Sequence, residues 1–342
     1  MKTYLPIPVL MLAGLLLAST AFAEGPVKKK KQLGIATYSV KGLESDIEGA
    51  FSSLQKDGYV VMEISNYNAR ERTVEGYSPE DYAALAKKYG MDIISSHSRA
   101  KFDVKDVEGS LAAWGTIFDD HKVMGCKYVI FPMNRWADNV EQMKVECDLM
   151  NLIGEEANKR GIKFGYHNHN MEFDNIAGTD QKVEDFLIAN TDPDKVFFQM
   201  DVYWVTVGKA DPVSYLKKYP DRFKVLHIKD DYVIGESGKI DYKAIFDQFY
   251  KNGHEDWFVE IEEYMTPEQR AERMEMMEQW RKRQEEAKKQ AAEGIQAGQG
   301  EEQRRPPRRP ERTPEEESKR LETALDGISQ SAAYLKASKF VK

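Results

Sequence analysis

Two histidines, His167 and His169, stand two residues apart in the stretch GYHNHN. The chain has only 6 His in 342 residues, and the apolar run before this pair predicts that it lies at the end of a buried strand. A core histidine needs one hydrogen-bond partner, whereas two imidazoles and an amide at one strand end indicate a site that holds a ligand. Residues two apart on a strand face the same side, so both imidazoles could point inward.

Other ionisable side chains are also placed at the ends of predicted strands. Carboxylates and imidazoles in apolar strands are costly to bury without partners, so their convergence on one rim is best explained by a shared cation. The strand-end residues, in chain order, are Glu63, His97, His167 with His169, Asp201, His227 with Lys229, and Glu260 with Glu262.

A divalent metal ion is the cation that this set favours. The expected ligands are His167, Asp201, His227 and Glu260. Two imidazoles and two carboxylates suit Mn²⁺, Zn²⁺, Co²⁺ or Mg²⁺, and mixed nitrogen and oxygen ligation does not choose among them. One histidine of the His167/His169 pair could bind metal and the other substrate, and the same choice stays open for Glu260 and Glu262.

Eight apolar runs alternate with amphipathic stretches, which predicts parallel strands joined by helices. The runs are LGIATYSV, YVVMEIS, MDIISSHS, KYVIFP, IKFGYHNH, KVFFQMDVYW, FKVLHIKD and DWFVEIEEY. Eight is the number of strands that closes a TIM barrel. An open doubly wound sheet is the rival, but no G-x-G-x-x-G follows the first strand. We therefore predict a (β/α)8 barrel with a long charged insertion before the last helix.

The expected segments have distinct compositions. Residues 1–23 form a signal peptide with a cut after Ala23, and 24–32 form a basic leader. The barrel runs over 33–265, a charged insertion over 266–316, and the terminal helix over 317–342. The first half of the insertion is expected to be helical and the second half disordered. Export to the periplasm follows, without stable membrane insertion after signal cleavage, because no second hydrophobic span is present.

Charge and cysteine content exclude some function classes. The formal net charge of -8 disfavours nucleic acid as a partner, since such proteins carry a basic face. Cys126 and Cys147 are the only cysteines, and we expect buried free thiols rather than a disulfide framework. The sequence does not indicate an oligomeric state.

The stretches GYHNHNMEF, MDVYWVTVGKADPVSYLKKYPDRFKVLHIKD, GESGKIDYKAIF and FVEIEEY resemble the xylose-isomerase-like TIM-barrel superfamily of sugar isomerases, epimerases and inosose dehydratases. The resemblance implies one divalent metal held by Glu, Asp, His and Glu of strands five to eight. The last three fall on Asp201, His227 and Glu260, while His167 replaces the first Glu. That replacement resembles the dehydratase and hydro-lyase branch, and exported relatives that act on 3-keto sugars.

Such a site favours chemistry next to a carbonyl. A proton on carbon beside a ketone becomes more acidic when the ketone and a neighbouring hydroxyl share a divalent cation, because the enediolate is stabilised. Glu260 or a histidine of the His167/His169 pair is the expected base. Lys229 could stabilise an oxyanion, and Glu63 and His97 could bind hydroxyls or act as a second acid or base.

The expected function is an exported, metal-dependent isomerase or epimerase of an unphosphorylated sugar or keto sugar. Trp136, Tyr203 and Trp204 lie where a sugar ring could stack, although such aromatics are as often ordinary packing. The alternatives are a 3-keto-glycoside lyase or hydratase of the dehydratase type, and a barrel that binds carbohydrate without turnover. An apurinic endonuclease of the same superfamily is opposed by the acidic net charge.

Overall fold

Eight parallel strands form a closed barrel in the computed structural model, which describes residues 31–292 and 312–342. The strands are β1 (Leu33–Ala36), β2 (Tyr59–Ile64), β3 (Asp92–His97), β4 (Tyr128–Phe131), β5 (Lys163–His167), β6 (Val196–Asp201), β7 (Phe223–Ile228) and β8 (Asp256–Val259). Each strand pairs with the next, and β8 pairs with β1 through Val259 and Ile35. The predicted (β/α)8 barrel is confirmed.

Helices follow the strands and surround the barrel. They are α1 (Ile47–Lys56), α2 (Pro79–Lys88), α3 (Val107–Met124), α4 (Val140–Lys159), α5 (Val183–Asn190), α6 (Val202–Val207), α7 (Pro212–Lys218), α8 (Tyr242–Lys251), α9 (Pro267–Ala292) and α10 (Pro314–Ala337). At the start of most of these helices, a short polar side chain accepts a hydrogen bond from a backbone N–H of the first turn. Ser78 caps α2 and Asn139 caps α4 in this way, which explains where these helices begin.

The barrel interior is layered along the strand direction. An apolar layer of Ala36, Ile94, Ile130, Phe197, Val225 and Phe258 fills its lower part. The ring of Phe197 leaves room for no side chain at Gly165, where a Cβ would lie 2.6 Å from it. Because alternate residues share a face, Gln199 and then Asp201 follow Phe197 up the inner face of β6. Polar residues therefore stand above the apolar layer, at the carboxyl ends of the strands.

Strand six ends earlier than predicted. The run KVFFQMDVYW was expected to be one strand, but β6 stops at Asp201 and α6 begins at Val202. The Asp201 carboxylate accepts the backbone N–H groups of Tyr203 and Trp204, and this cap turns the chain into a helix despite its β-branched and aromatic residues. A short hairpin of Tyr67–Asn68 and Thr73–Val74 was also not predicted.

The expected insertion, signal peptide and leader lie partly or wholly outside the residues that the structure describes. Helix α9 lies in the first half of the segment that we expect to be an insertion, while residues 293–311 lie outside the described residues. The expected signal peptide, 1–23, and most of the leader lie outside them too, so both segment assignments stay predictions. Among the helices that the structure describes, none has the length and apolarity needed to cross a membrane. Cys126 and Cys147 are buried and unpaired, as expected.

Candidate active site

Four side chains converge at the carboxyl ends of β5 to β8. They are His167, Asp201, His227 and Glu260, each buried. The atoms that Asp201, His227 and Glu260 offer lie within 4.8 Å of one another. His167 joins them, since its Nε2 lies 3.9 Å from Asp201 Oδ2. The structure thus brings together the four residues that the sequence suggested as metal ligands.

Two of these facing atoms have no hydrogen-bond partner. Asp201 Oδ2 and His227 Nδ1 are both buried and unsatisfied. His227 Nδ1 lies 2.9 Å from Glu260 Oε2, without the alignment of a hydrogen bond. Buried polar atoms are nearly always paired, so two orphans that face the same point fit a cation there. Two imidazole nitrogens and two carboxylate oxygens suit a divalent transition metal.

A second set of polar groups lies beneath the four side chains and engages Glu63. The Glu63 carboxylate accepts Ser95 Oγ at 2.7 Å and Gln199 Nε2 at 2.8 Å on one oxygen. Its other oxygen lies 2.5 Å from His227 Nε2. Burial by itself favours the neutral acid, but His97, His227 and these hydrogen bonds lower the pKa of Glu63 to about 2. Glu63 is therefore a fully buried anion that fixes its neighbours.

This anion sets the orientation of the Gln199 amide. A carboxylate only accepts hydrogen bonds, so the Gln199 NH₂ group must face Glu63 and its carbonyl must face the other way. That carbonyl oxygen lies 2.6 Å from His97 Nε2 and 2.9 Å from His167 Nδ1. Both imidazoles therefore donate to it, and the lone pair of His167 is placed on Nε2, towards Asp201.

The same reasoning fixes His227. Its Nε2–H donates to the Glu63 carboxylate, which leaves Nδ1 on the side of Asp201 and Glu260. Burial opposes the charge of this ring, yet Glu63 and Glu260 together raise the pKa of His227 to about 10. Burial foremost raises the pKa of Asp201 to about 7. A metal ion bound between these groups would displace a proton, as is usual for metal sites.

The imidazoles of His97, His167 and His227 form a second group that could hold a metal. The rings of His97 and His227 stack at 4.9 Å. However, the Gln199 carbonyl already lies between His97 and His167, and their nitrogens on that side donate to it. Asp201, His227, Glu260 and His167 are therefore the better ligand set.

The rim of the site carries a buried lysine between two carboxylates. Lys229 Nζ donates to Glu260 at 2.5 Å and to Glu262 at 2.7 Å. Its burial disfavours the charge, but these carboxylates and Asp201 raise the pKa of Lys229 well above its usual range. The amine also lies 5.1 Å from the ring of Trp204. Lys229 is thus a fixed cation at the mouth, next to an aromatic face.

His169 lies on the rim with one free nitrogen. Its Nδ1 is buried and makes no hydrogen bond, and burial lowers the pKa of this imidazole to about 4. Its backbone N–H donates to Glu172 at 2.8 Å, and Glu172 also accepts the hydroxyl of Tyr166 at 2.6 Å. The backbone of His169 is therefore held in place, and its imidazole is neutral at pH 7.

The predicted site residues thus divide into three groups. Asp201, His227 and Glu260 present atoms within 4.8 Å of one another, and His167 Nε2 lies 3.9 Å from Asp201. His169 and Lys229 lie on the rim. Glu63 and His97 lie beneath, with Glu63 fully enclosed. Among the aromatics, Trp136 donates its indole N–H to Tyr166 at 3.0 Å.

Sequence reasoning missed Gln199, Glu172, Tyr38 and Lys41. Gln199 had a signal, because it stands two residues before Asp201 on the same strand and so shares its face. Tyr38 donates to Glu262 Oε2 at 3.2 Å, but it lies in a 3₁₀ turn after β1, where spacing carries no such signal. Glu172 lies in a 3₁₀ turn, Met171–Phe173, and Lys41 lies in the connection after β1.

A family model described as xylose isomerase-like TIM barrel matches residues 51–295. The chain belongs to this family. The match covers well over half of the sequence and includes seven of the eight strands, β2 to β8, so the family assignment and the observed barrel agree.

Curated relatives in this family include inosose dehydratases. One from Clostridium beijerinckii is 27% identical over 144 residues, which cover 35% of this chain and 47% of the relative. The chain thus spans about half the length of the first curated relatives that it matches.

Solved structures with this barrel include one that covers most of this chain and others that are more distant in sequence. A sugar phosphate isomerase/epimerase from Parabacteroides distasonis ATCC 8503 is 30% identical, with a TM-score of 0.71, covering 91% of this chain and all of that one. An IOLI protein with a bound zinc atom is 18% identical with a TM-score of 0.51, covering 67% of this chain and 88% of that one, and this likeness shows the fold alone.

Proposed function

We propose that this protein is a divalent-metal-dependent enzyme that removes a proton next to the carbonyl of an unphosphorylated sugar or keto sugar. The observation that carries the proposal is the pair of orphaned atoms, Asp201 Oδ2 and His227 Nδ1, at the mouth of a barrel whose relatives act on sugars. His167 and Glu260 would complete the ligand set. A bound divalent ion would polarise the substrate carbonyl and favour loss of the neighbouring proton.

His169 is the base that the geometry favours. Its neutral imidazole has an unpartnered Nδ1 and lies on the rim, with its ring 5.8 Å from that of Trp204. It would take the proton from carbon while the electron pair moves towards the carbonyl oxygen, giving an enediolate. Glu260 is less available, because Lys229 and His227 engage its carboxylate. Lys229 would stabilise negative charge on a substrate oxygen.

The fate of the proton then decides the reaction. Return of the proton to the neighbouring carbon gives an isomerase. Return to the opposite face of the same carbon gives an epimerase. A second candidate is elimination, in which a β-hydroxyl or a glycosidic oxygen leaves, as in a dehydratase or lyase. This candidate is favoured by His169, which is the one site histidine outside the proposed ligands in the described chain with a buried unpartnered nitrogen. The dehydratase relatives agree with it.

A barrel that only binds carbohydrate is disfavoured by the free-energy cost of burying the ionisable side chains of the site. Four ionisable side chains are buried around two atoms without a hydrogen-bond partner, and such burial costs free energy that internal ion pairs offset only in part. A binding module can hold a sugar with neutral hydrogen-bonding groups and aromatic faces, so it needs no such set.

The first test measures metal and proton exchange together. Purified protein should contain one divalent metal per chain, and Asp201→Asn, which keeps an oxygen to cap α6, should lose it. Incubation in D₂O with free ketoses, 3-keto glycosides and an inosose should place deuterium on carbon next to the carbonyl. His169→Ala should lower this exchange by roughly 100-fold or more, whereas the control His254→Ala, far from the site, should not change it.

Results that contradict the metal ligands differ from results that contradict proton abstraction. Stoichiometric metal in Asp201→Asn would remove that residue from the ligand set. If turnover occurs without incorporation of deuterium from solvent, the experiment is repeated with substrate that is deuterated at the reacting carbon. If the label is then fully retained on the neighbouring carbon of the product, a hydride shift operates and proton abstraction by His169 is wrong.

Export is part of the same proposal. The basic start and apolar run of residues 1–23 support removal of this segment on secretion. N-terminal sequencing of the protein from a periplasmic fraction should begin at Glu24, and an intact Met1 in the cytoplasmic fraction would contradict export.

A further inference from the structure

A cleft of about 300 Å³ opens beside the active site, between the connections that follow β1 and β8 and the first turns of α10. Its lining includes four cationic side chains, Lys41, Arg312, Lys319 and Arg320, and two carboxylates, Glu263 and Glu316. The cleft therefore has ionic groups of both signs, and their pairing decides which charge remains for a ligand.

Both carboxylates of the cleft are engaged by the protein itself. Glu263 accepts Arg320 Nε at 2.7 Å and lies 3.6 Å from Arg312. Glu316 accepts the backbone N–H of Thr313 at 2.7 Å in the capping box of α10. Neither carboxylate is free to balance a further cation, and the two arginines are already held by their acidic partners.

The two lysines of the cleft have no such partner. In residues 31–292 and 312–342, neither Lys41 nor Lys319 forms an ion pair with a carboxylate. Lys319 is exposed, whereas Lys41 is partly buried, and burial lowers the pKa of Lys41 to about 8. Its amine lies 3.1 Å from the centroid of the Tyr38 ring. The lining of the cleft therefore has an excess of positive charge, and Lys41 is its partly buried cation, with the charges of Glu262 and Glu260 acting on it from the active-site side.

Lys41 also lies next to the proposed chemistry. The Tyr38 ring is 3.1 Å from Lys41 Nζ and 5.9 Å from Lys229 Nζ, and Lys229 binds Glu260. The turn that carries Lys41 is fixed against α10: Gly42 has a φ of 78°, and a Cβ there would lie 2.5 Å from the carbonyl oxygen of Glu317. A ligand that reaches from the site into the cleft would meet a preplaced amine and the exposed face of Tyr264.

We propose that the cleft is a subsite for a carboxylate group of the substrate, bound by Lys41, so that the enzyme acts on acidic sugars or on glycosides with an acidic substituent. The proposal rests on the proposed function, because it treats the mouth as a sugar site. A carboxylate fits better than a phosphate, since the arginine forks that suit phosphate are occupied and one partly buried amine matches one negative charge.

The test compares two sugars that differ at one carbon. Calorimetric titration of the metal-loaded, full-length protein with D-glucuronate and D-glucose measures the preference for a carboxylate. We expect D-glucuronate to bind about tenfold more tightly or better, with the preference weakened by salt. Lys41→Gln should abolish the preference. The control Lys251→Gln removes the same charge at the end of α8 and should keep it.

Several results would overturn the proposal. Equal binding of the two sugars, absence of D-glucuronate binding, or a preference that survives in Lys41→Gln would each show that the cleft is not a carboxylate subsite. D-glucose 6-phosphate binding more tightly than D-glucuronate would replace carboxylate by phosphate. None of these results bears on the metal content or on deuterium exchange, so failure of the subsite is distinguishable from failure of the proposed function.

Discussion

The two histidines of the proposed ligand set present different ring nitrogens to its carboxylates. His167 turns Nε2 towards Asp201, and His227 turns Nδ1 towards Glu260. In each case the opposite nitrogen donates a hydrogen bond, to the Gln199 carbonyl or to the Glu63 carboxylate. Because a metal ligand must offer a lone pair, these two partners decide which nitrogen can bind. Gln199 and Glu63 therefore position the ligands without contacting the ion.

Replacement of Gln199 should weaken metal binding although it is no ligand. In Gln199→Leu, His167 loses the acceptor that fixes its tautomer, and partners of this kind typically contribute roughly 10- to 100-fold in metal affinity. Titration of the metal-free protein with Zn²⁺ against a competing chelator measures the affinity. Gln142→Leu, on the exposed face of α4, serves as the control.

Two results bear on that prediction. Circular dichroism of metal-free Gln199→Leu shows whether the barrel still folds. If it folds and its affinity for Zn²⁺ equals that of the control, the positioning role of Gln199 is wrong.

At the scale of elements, sequence periodicity located the strands and the main helices well. The ends of strands were harder, because side-chain caps decide them. Asp201 was predicted as a ligand, but its second role as the cap of α6 depends on one oxygen turning to the backbone while the other faces the site. The layer of Glu63, Gln199 and His97 was equally hidden, since it depends on which side chains of different strands meet inside the closed barrel.

Helix α5 contains a feature that its sequence conceals. Glu184 stands in the first turn, where an acidic residue is usually exposed and favourable. Here it is fully buried, and neither carboxylate oxygen has a hydrogen-bond partner. Burial first, then the nearby Glu172 and Asp185, raise the pKa of Glu184 well above its usual range, against the opposing effect of Arg222.

This burial predicts a loss of stability with rising pH. The folded state holds the Glu184 proton more tightly than the unfolded state, so the stabilisation is complete below the unfolded pKa of about 4.3 and declines as pH rises towards the folded pKa. Glu184→Gln mimics the protonated acid and should be more stable than wild type at neutral pH. Over that range the difference should grow by about 1.4 kcal/mol per pH unit.

Urea unfolding between pH 5 and pH 8 measures this difference. The exposed Glu322→Gln on α10 is the control and should follow wild type. A Glu184→Gln variant that parallels wild type at every pH would show that Glu184 is already ionised in the folded protein.

On the scale of the whole molecule, the last two helices have opposite relations to the barrel. Helix α10 is joined to it by buried residues at helical spacing and by hydrogen bonds from distant strands and connections. Tyr59 of β2 donates to the Ile328 carbonyl at 3.1 Å, and Tyr232 donates to that of Thr323 at 2.9 Å. The terminal helix therefore completes the fold, although a long stretch of chain separates it from β8.

The described side chains of helix α9 make few contacts of this kind. Its described side chains beyond Arg270 are exposed, including Met274 and Met276. Near its start, Arg270 lies 3.6 Å from Asp231, next to the mouth of the barrel. Exposed side chains contribute little to the stability of the core, so from the side chains that the structure describes in α9 we expect the barrel not to depend on the chain beyond Arg270.

Replacement of residues 271–311 by a Gly/Ser linker should leave a folded, metal-binding protein. The design keeps Arg270 at one end, and at the other it keeps Arg312 and the Thr313 cap of α10. We expect the thermal midpoint and the Zn²⁺ affinity to equal those of wild type, because the strands, the four ligands and the α10 contacts are all retained. A matched linker replacement of residues 315–337, which removes α10, should by contrast prevent soluble expression. Loss of soluble protein in the first variant would show that the segment packs against the barrel, and normal folding with altered sugar binding would assign it a role at the mouth.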